Sequence, residues 1–212
     1  SFEGTWDKLQ LLLSEVFIRD DGVQMNINIM CVDSGYNTSH VYDFCNRPLC
    51  AGRVIPVKGS DSLSMLFTAP KSVEYTRQGK PVNRVKVFSV GVSMIKSELY
   101  GWLKQVKKDD NSYPVGYCHF PEYNKEYFEG ITAEKLERKT NAKNYNVFQW
   151  VKYYKRNEPL DCRVYARAAA AIFNMDLFND QHWDMLVNHA GLVDGKKETK
   201  IKNEKKSGFW KK

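Results

Sequence analysis

Three acidic residues in two separate parts of the chain occupy positions that are typical of a metal-binding site. Asp33 ends an apolar run over residues 25–33, and a turn follows it. An acid at the carboxyl end of a strand lies where open α/β sheets bind their ligands. Glu158 and Asp161 are three residues apart at the start of a predicted helix, so their side chains share one face. If this helix packs beside the strand, the three carboxylates converge.

Converging carboxylates need cations to neutralise them, and carboxylate oxygens are ligands that Mg²⁺ and Mn²⁺ accept readily. Two such ions about 4 Å apart can activate a water molecule and stabilise the leaving oxygen of a phosphodiester. The residues therefore predict a nuclease in which Asp33, Glu158 and Asp161 bind metal. A second interpretation stays open, in which Glu158 and Asp161 only stabilise the helix start and pair with Arg156 or Arg163.

Other potential ligands are weaker candidates. His119 precedes a Phe-Pro pair, and Glu134 is expected near the start of a helix. His182 and His189 are seven residues apart, without a nearby acidic motif, and are interpreted as structural. The five cysteines are odd in number and contain no CxxC pair, which favours free thiols over disulfides and argues against a zinc site.

The charge balance favours a polyanionic partner. Lys and Arg number 32 and Asp and Glu 25, so the 212-residue chain carries a formal charge of +7. Neutralising phosphates with such residues releases counterions, which makes nucleic acid the expected partner. The sequence contains no G-x-x-x-x-G-K-[ST] motif, which argues against an ATPase of that kind in this chain, and no apolar run of about 20 residues that would span a membrane.

Hydrophobic periodicity predicts an α/β protein with a mixed central sheet flanked by helices. Residues 25–33, apolar on both faces at their end, are expected to form a central strand. Residues 38–45 then form a helix and residues 53–59 a second, parallel strand. The other predicted helices cover 5–17, 92–106, part of 131–139 and 157–173, and the other predicted strands cover 85–90, 117–121 and 146–154.

Two segments have no regular period of their own. Residues 63–81 are expected to form an irregular excursion, either a loose hairpin or a loop that faces DNA. Residues 194–212 are rich in Lys and cannot bury a core, so we expect a flexible basic tail after one domain over residues 1–193.

Three motifs resemble one known family in their order and approximate spacing, and a fourth, over 54–59, also fits it. They are 31–36 (CVDSGY), 54–59 (VIPVKG), 118–121 (CHFP) and 156–166 (RNEPLDCRVYA), of which the last is the most specific. Over about residues 5–173 the chain resembles the C-terminal nuclease domain of the lambda-type phage terminase large subunit.

The resemblance implies an RNase H-like fold and a metal-dependent endonuclease that cuts concatemeric viral DNA during packaging. It implies two Mg²⁺ or Mn²⁺ ions, double-stranded DNA as substrate and the host cytoplasm as location. The implied partners are the ATPase portion of the large subunit, the small terminase subunit and the portal. Asp33 would be the second acid of the site, and either Glu158 or Asp161 would be the third.

One expected residue has no counterpart in the motifs. Nucleases of this fold usually carry their first metal-binding Asp on the first strand of the sheet. The acids that precede Asp33 lie on the predicted first helix, its leader or a turn: Glu3, Asp7, Glu15, Asp20 and Asp21. We therefore expect that the first strand or strands are lacking and that a separate chain or a longer chain supplies them. A tenfold loss of rate requires only about 1.4 kcal/mol of lost transition-state stabilisation, and a missing metal ligand could exceed that. We therefore expect isolated 1–212 to be weakly active or inactive.

Two alternatives to a terminase nuclease remain at this point. The chain could be a non-catalytic DNA-binding or assembly module that uses the same basic surface. It could also be another RNase H-like nuclease, of the resolvase or transposase type, with the same acids and a different substrate.

Overall fold

The computed structural model describes residues 2–77, 80–140 and 142–189. The helices are α1 (Phe2–Leu13), α2 (Thr38–Cys45), α3 (Val92–Leu103), α4 (Lys125–Ile131), α5 (Glu158–Ile172) and α6 (Asp180–His189), with a 3₁₀ turn at Met175–Leu177. The strands are β1 (Val16–Ile18), β2 (Gln24–Asn26), β3 (Met30–Asp33), β4 (Val54–Ser60), β5 (Lys71–Arg77), β6 (Lys80–Gly91), β7 (Glu134–Thr140) and β8 (Asn146–Lys152).

A four-stranded mixed sheet forms the centre of the fold, in the order β3-β4-β6-β5. Strands β3, β4 and β6 are parallel, and β5 is antiparallel to β6. The predicted mixed α/β architecture and the parallel unit β3–α2–β4 are thus confirmed. Two antiparallel ribbons, β1–β2 and β7–β8, stand apart from this sheet.

Helices cover both faces of the sheet because the side chains of its strands alternate between two cores. On β4, Val57 packs into a core with Ile95 of α3 and Leu160 of α5. Val54, on the opposite face, packs with Phe44 of α2 and with Leu13 of α1. Alternation of this kind is the signature of a strand buried on both sides. As a result, α3 and α5 share one face, and α5 packs directly against β3.

The N-terminal prediction is wrong in two places. The helix expected over 5–17 ends at Leu13, and the β-branched and aromatic residues 16–18 form a strand instead. The strand expected over 25–33 is divided into β2 and β3. Between them the Ile27 carbonyl accepts a hydrogen bond from the Arg53 guanidinium at 2.5 Å, which replaces a strand partner. In the described part of the chain β3 is also an edge strand, not a central one.

The region around Glu134 also differs from the prediction. The helix there ends at Ile131 and begins after Asn124, whose side chain accepts a hydrogen bond from the Tyr127 N–H at 2.9 Å. Glu134 then opens strand β7, because residues 134–140 pair along their whole length with β8. Residues 117–121 form no strand.

The segment over 63–81 proved to contain β5, one arm of a hairpin with the long strand β6. Helix α6 was not predicted at all. The basic tail over 194–212 and the domain boundary at residue 193 lie outside the described residues and stay predictions. No helix among the described residues is both long and apolar enough to cross a bilayer.

Candidate active site

An open cleft of about 530 Å³ lies at the carboxyl ends of β3 and β4, beside α3 and α5. Acidic and basic side chains from four elements face it together. Its lining is Asp33, Gly35, Lys58, Gly59, Asp61, Val92, Lys96, Asp161 and Tyr165. Three aspartates and two lysines in one cleft suit a ligand that combines cations with an anion.

Local hydrogen bonds orient Asp33 at the end of β3. Its carboxylate accepts a bond from the Gly35 N–H at 2.8 Å, and the Tyr165 hydroxyl donates a second. The next residue, Ser34, is fully buried and donates from Oγ to the Val57 carbonyl at 2.9 Å, which ties the turn to β4. The Asp33 carboxylate is itself exposed and therefore available to a ligand.

Tyr165 reaches Asp33 because β4 has no side chain at Gly59. A Cβ at Gly59 would stand 3.2 Å from the Tyr165 hydroxyl and 3.0 Å from Val92. Burial, followed by the negative charge of Asp33 and the hydrogen bond to it, raises the pKa of Tyr165 above its ordinary value. The hydroxyl therefore stays protonated and remains a donor to the carboxylate.

The two acids of α5 are placed differently. Asp161 lines the cleft together with Asp33. Glu158 does not line it: its side chain is 63% exposed, and its carboxylate lies 3.4 Å from the Arg156 guanidinium. The structure thus brings two of the three predicted site residues together and leaves Glu158 at the helix start.

The electrostatic surroundings of the two acids differ in the same way. Burial raises the pKa of Asp161, and the negative charges of Glu134 and Asp33 act in the same direction, against the positive charge of Lys96. The pKa of Glu158 is lowered, first by a backbone hydrogen bond at the helix start and then by Arg156. Asp161 is therefore the acid that gains from a bound cation.

Behind the cleft, Lys96 of α3 forms a buried ion pair with Glu134. The Nζ···Oε2 distance is 2.7 Å, and the two side chains are 10% and 9% exposed. Glu134 Oε1 accepts a further hydrogen bond from Asn157 at 3.0 Å. Lys96 also lines the cleft, so one member of this buried ion pair is part of the site.

The other sequence candidates lie apart from the cleft. His119 packs against the rings of Tyr113 and Tyr117 at centroid distances of 4.6 and 5.0 Å. His182 lies at the start of α6, where its N–H donates to the Asn179 side chain at 3.1 Å. All five cysteines are free, as predicted.

Four polar residues of the cleft were missed from sequence, although three of them carried a signal. Asp61 lies just beyond the predicted strand over 53–59, much as Asp33 lies at the end of β3. Tyr165 is four residues after Asp161 and so lies on the same helix face. Lys96 occurs on the apolar stripe of α3, next to Ile95, where a charged side chain is unusual. Lys58 gave no signal.

The carboxylate oxygens in the cleft are the kind of ligand that hard divalent cations such as Mg²⁺ bind. Among residues 2–77, 80–140 and 142–189, no three His, Cys, Asp or Glu side chains form a preassembled metal cluster. Mg²⁺, however, usually keeps several waters and binds through one or two carboxylates together with substrate phosphates. Asp33, Asp61 and Asp161 can supply such carboxylates from the walls of the cleft.

The fold and the cleft define a class: an α/β protein with an aspartate-lined site at the carboxyl ends of adjacent parallel strands. Comparison with known proteins identifies the family. Residues 1–183 match the family described as terminase large subunit gpA, endonuclease domain, and the chain belongs to it.

Two curated relatives are terminase large subunits, from Escherichia phage lambda and Enterobacteria phage P21. Each is 27% identical to the chain over 175 residues, which are 80% of the chain and 26% of the relative. The chain thus spans about a quarter of the relatives it matches. No solved structure matches it significantly.

Proposed function

We propose that the chain is a metal-dependent endonuclease that hydrolyses double-stranded DNA in the cleft between β3, β4 and α5. The observation that carries this proposal is that Asp33, Asp61 and Asp161, from three separate segments of the chain, line one cleft. Membership of the endonuclease-domain family supports the same reaction.

Asp33 and Asp161 would hold the metal, with Asp61 as a third oxygen donor. Two Mg²⁺ or Mn²⁺ ions held there would supply an activated water and would stabilise the leaving oxygen of the phosphodiester. The chain's own contribution is to fix the donors. Tyr165 and the Gly35 N–H hold the Asp33 carboxylate, and the packing of α5 on β3 sets the position of Asp161.

An RNase H-like fold belongs to the same proposal. It is supported by the mixed sheet with helices on both faces and by acids at the ends of two neighbouring parallel strands. The third acid on a helix that packs against the sheet fits this arrangement. The additional strand expected from the sequence stays a prediction.

A packaging role follows from the relatives, which are terminase large subunits. The chain would cut concatemeric viral DNA in the host cytoplasm, joined to the ATPase portion and working with the small terminase subunit and the portal. The ribbon β7–β8 supports DNA as the partner, because Arg138 stands directly opposite Phe148, which is 74% exposed. Exposed cationic and aromatic side chains side by side are common in nucleic-acid sites.

Asp33→Asn is the first test of the nuclease assignment. With the wild-type protein in molar excess over supercoiled plasmid, we expect nicking in the presence of Mn²⁺ or Mg²⁺. No nicking is expected when EDTA removes the metal. Asp33→Asn should lower the nicking rate by at least about 100-fold, because it removes a metal-binding charge and keeps the shape.

The matched control is Asp109→Asn, an exposed acid in the turn after α3, which should cut like wild type. Equal measurable rates for wild type and Asp33→Asn would contradict the nuclease and favour a DNA-binding or assembly module. The absence of metal-dependent nicking would do so if a longer chain that supplies the expected N-terminal strand is also inactive.

A further inference from the structure

The buried ion pair of Lys96 and Glu134 is surrounded by further contacts. Glu134 accepts from Lys96 through one oxygen and from Asn157 through the other. The backbone of Glu134 is fixed as well, because its N–H donates to the Tyr100 hydroxyl at 3.2 Å and its carbonyl accepts from that hydroxyl. The Trp150 ring lies 6.0 Å from Lys96 Nζ. Four parts of the chain thus determine where this ammonium lies.

Burying such a pair is costly, since replacement of a buried ion pair by apolar residues is often neutral or stabilising. Lys96 is nevertheless on a helix whose neighbouring residues Ile95 and Leu99 are almost fully buried. Lys96 lines the cleft together with Asp33 and Asp161, and its positive charge acts on the Asp161 carboxylate. A charge at this position acts on whatever ligand the cleft holds.

The cleft contains two kinds of charged side chain: aspartates, whose oxygens can bind cations, and lysines, whose N–H groups can donate hydrogen bonds to an anion. Aspartates attract cations but repel the phosphate of DNA, so a site made of aspartates alone lacks a direct partner for an anionic substrate. An ammonium carries three N–H donors, and Glu134 accepts one of them. A fixed ammonium beside the carboxylates can therefore donate to a non-bridging phosphate oxygen.

We propose that Lys96, positioned by Glu134, binds a non-bridging oxygen of the phosphodiester held in the cleft. Lys96 is then a catalytic residue, and Glu134 and Asn157 are positioning residues. This inference rests on the proposed nuclease function and names the group that recognises the substrate phosphate.

The test is the charge-neutral pair of substitutions Lys96→Met with Glu134→Gln. Removing both charges leaves no unpaired buried ion, so the variant is expected to melt near the wild-type temperature. The net charge of the double variant equals that of wild type, so its overall electrostatic attraction to DNA is unchanged. Any change in DNA binding therefore reports a lost contact. Lys104→Met, at the exposed end of the same helix, is the control.

Three measurements separate the possible roles. Single-turnover cleavage of a duplex oligonucleotide with Mn²⁺ should fall about 100-fold in the double variant. Mn²⁺ affinity, measured by calorimetry without DNA, should stay within about threefold. With Ca²⁺ replacing Mn²⁺, the slope of log K for the same duplex against log salt should become shallower by about 0.9, the value for one phosphate contact.

The outcomes differ for each explanation. A folded double variant that cuts within threefold of wild type and keeps the salt slope would overturn the proposal and leave the pair with a structural role. A parallel loss of Mn²⁺ affinity and cleavage would overturn it in favour of a role in the metal site. If wild type does not cut, even in a longer chain that supplies the expected N-terminal strand, the nuclease function fails, and the salt slope still decides whether Lys96 contacts phosphate.

Discussion

Asp161→Asn is expected to lower single-turnover DNA cleavage by about 1,000-fold, which corresponds to about 4 kcal/mol of lost transition-state stabilisation. Asp161 lines the cleft with Asp33, and burial raises its pKa, so a bound cation would stabilise its charged form. Asparagine keeps the size of the side chain and removes that charge. The effect is therefore assigned to metal and substrate binding and not to packing.

Glu158→Gln is the informative comparison, because the sequence predicts both acids on one helix face. Glu158 is exposed beside Arg156 and outside the cleft lining, so we expect its loss to change the rate less than about threefold. Rates should be measured with both proteins saturated in Mn²⁺, with melting curves as the control for folding. A larger loss for Glu158→Gln than for Asp161→Asn would reverse the assignment of the third acid.

Gly91→Ala is expected to destabilise the protein by about 3 kcal/mol and to lower its melting temperature by about 10 °C. Gly91 joins β6 to α3, the helix that carries Lys96. A Cβ at this position would stand 2.1 Å from the Met65 carbonyl oxygen and 3.0 Å from that of Leu63. Both are backbone atoms, so the strand or the start of the helix must move.

Gly101→Ala, in the same helix, is the matched control. A Cβ there meets no atom within 4 Å, and the helix gains about 1 kcal/mol when alanine replaces glycine. Thermal unfolding of the two variants should therefore shift in opposite directions. If Gly91→Ala melts at or above the wild-type temperature, the packing described at the β6–α3 junction is wrong.

Sequence patterns were sufficient where local signals and tertiary structure agree. Helix α5 combines a proline in its first turn with a run of alanines, and its position followed from them. The placing of Asp161 near Asp33 depended on the further expectation that this helix packs beside the strand, as it does. The parallel pairing of β3 with β4 followed from the strand–helix–strand order. In each case the signal lies within a few residues of the element it predicts.

The failures occurred where distant contacts decide the structure. Nothing local indicates that β2 pairs with β1 and β3 with β4, or that the Arg53 guanidinium donates to the Ile27 carbonyl between them. Glu134 was expected in a helix, but it begins a strand because residues 134–140 pair with β8. Its ion pair with Lys96, 38 residues away, was equally invisible to local patterns. For the same reason sequence spacing could not decide between Glu158 and Asp161, which share a helix face and differ only in what packs opposite them.

The most direct test of the central claim is to locate the metal. Fe²⁺ can replace Mg²⁺ or Mn²⁺ in an oxygen-ligand site, and with ascorbate and peroxide it cleaves the nearby polypeptide, so mass spectrometry of the fragments maps the bound ion. We expect cuts beside Asp33, Asp61 and Asp161, which excess Mn²⁺ suppresses and Asp161→Asn abolishes. Cuts elsewhere in the chain, or a pattern that neither Mn²⁺ nor the substitution alters, would contradict a metal site in this cleft.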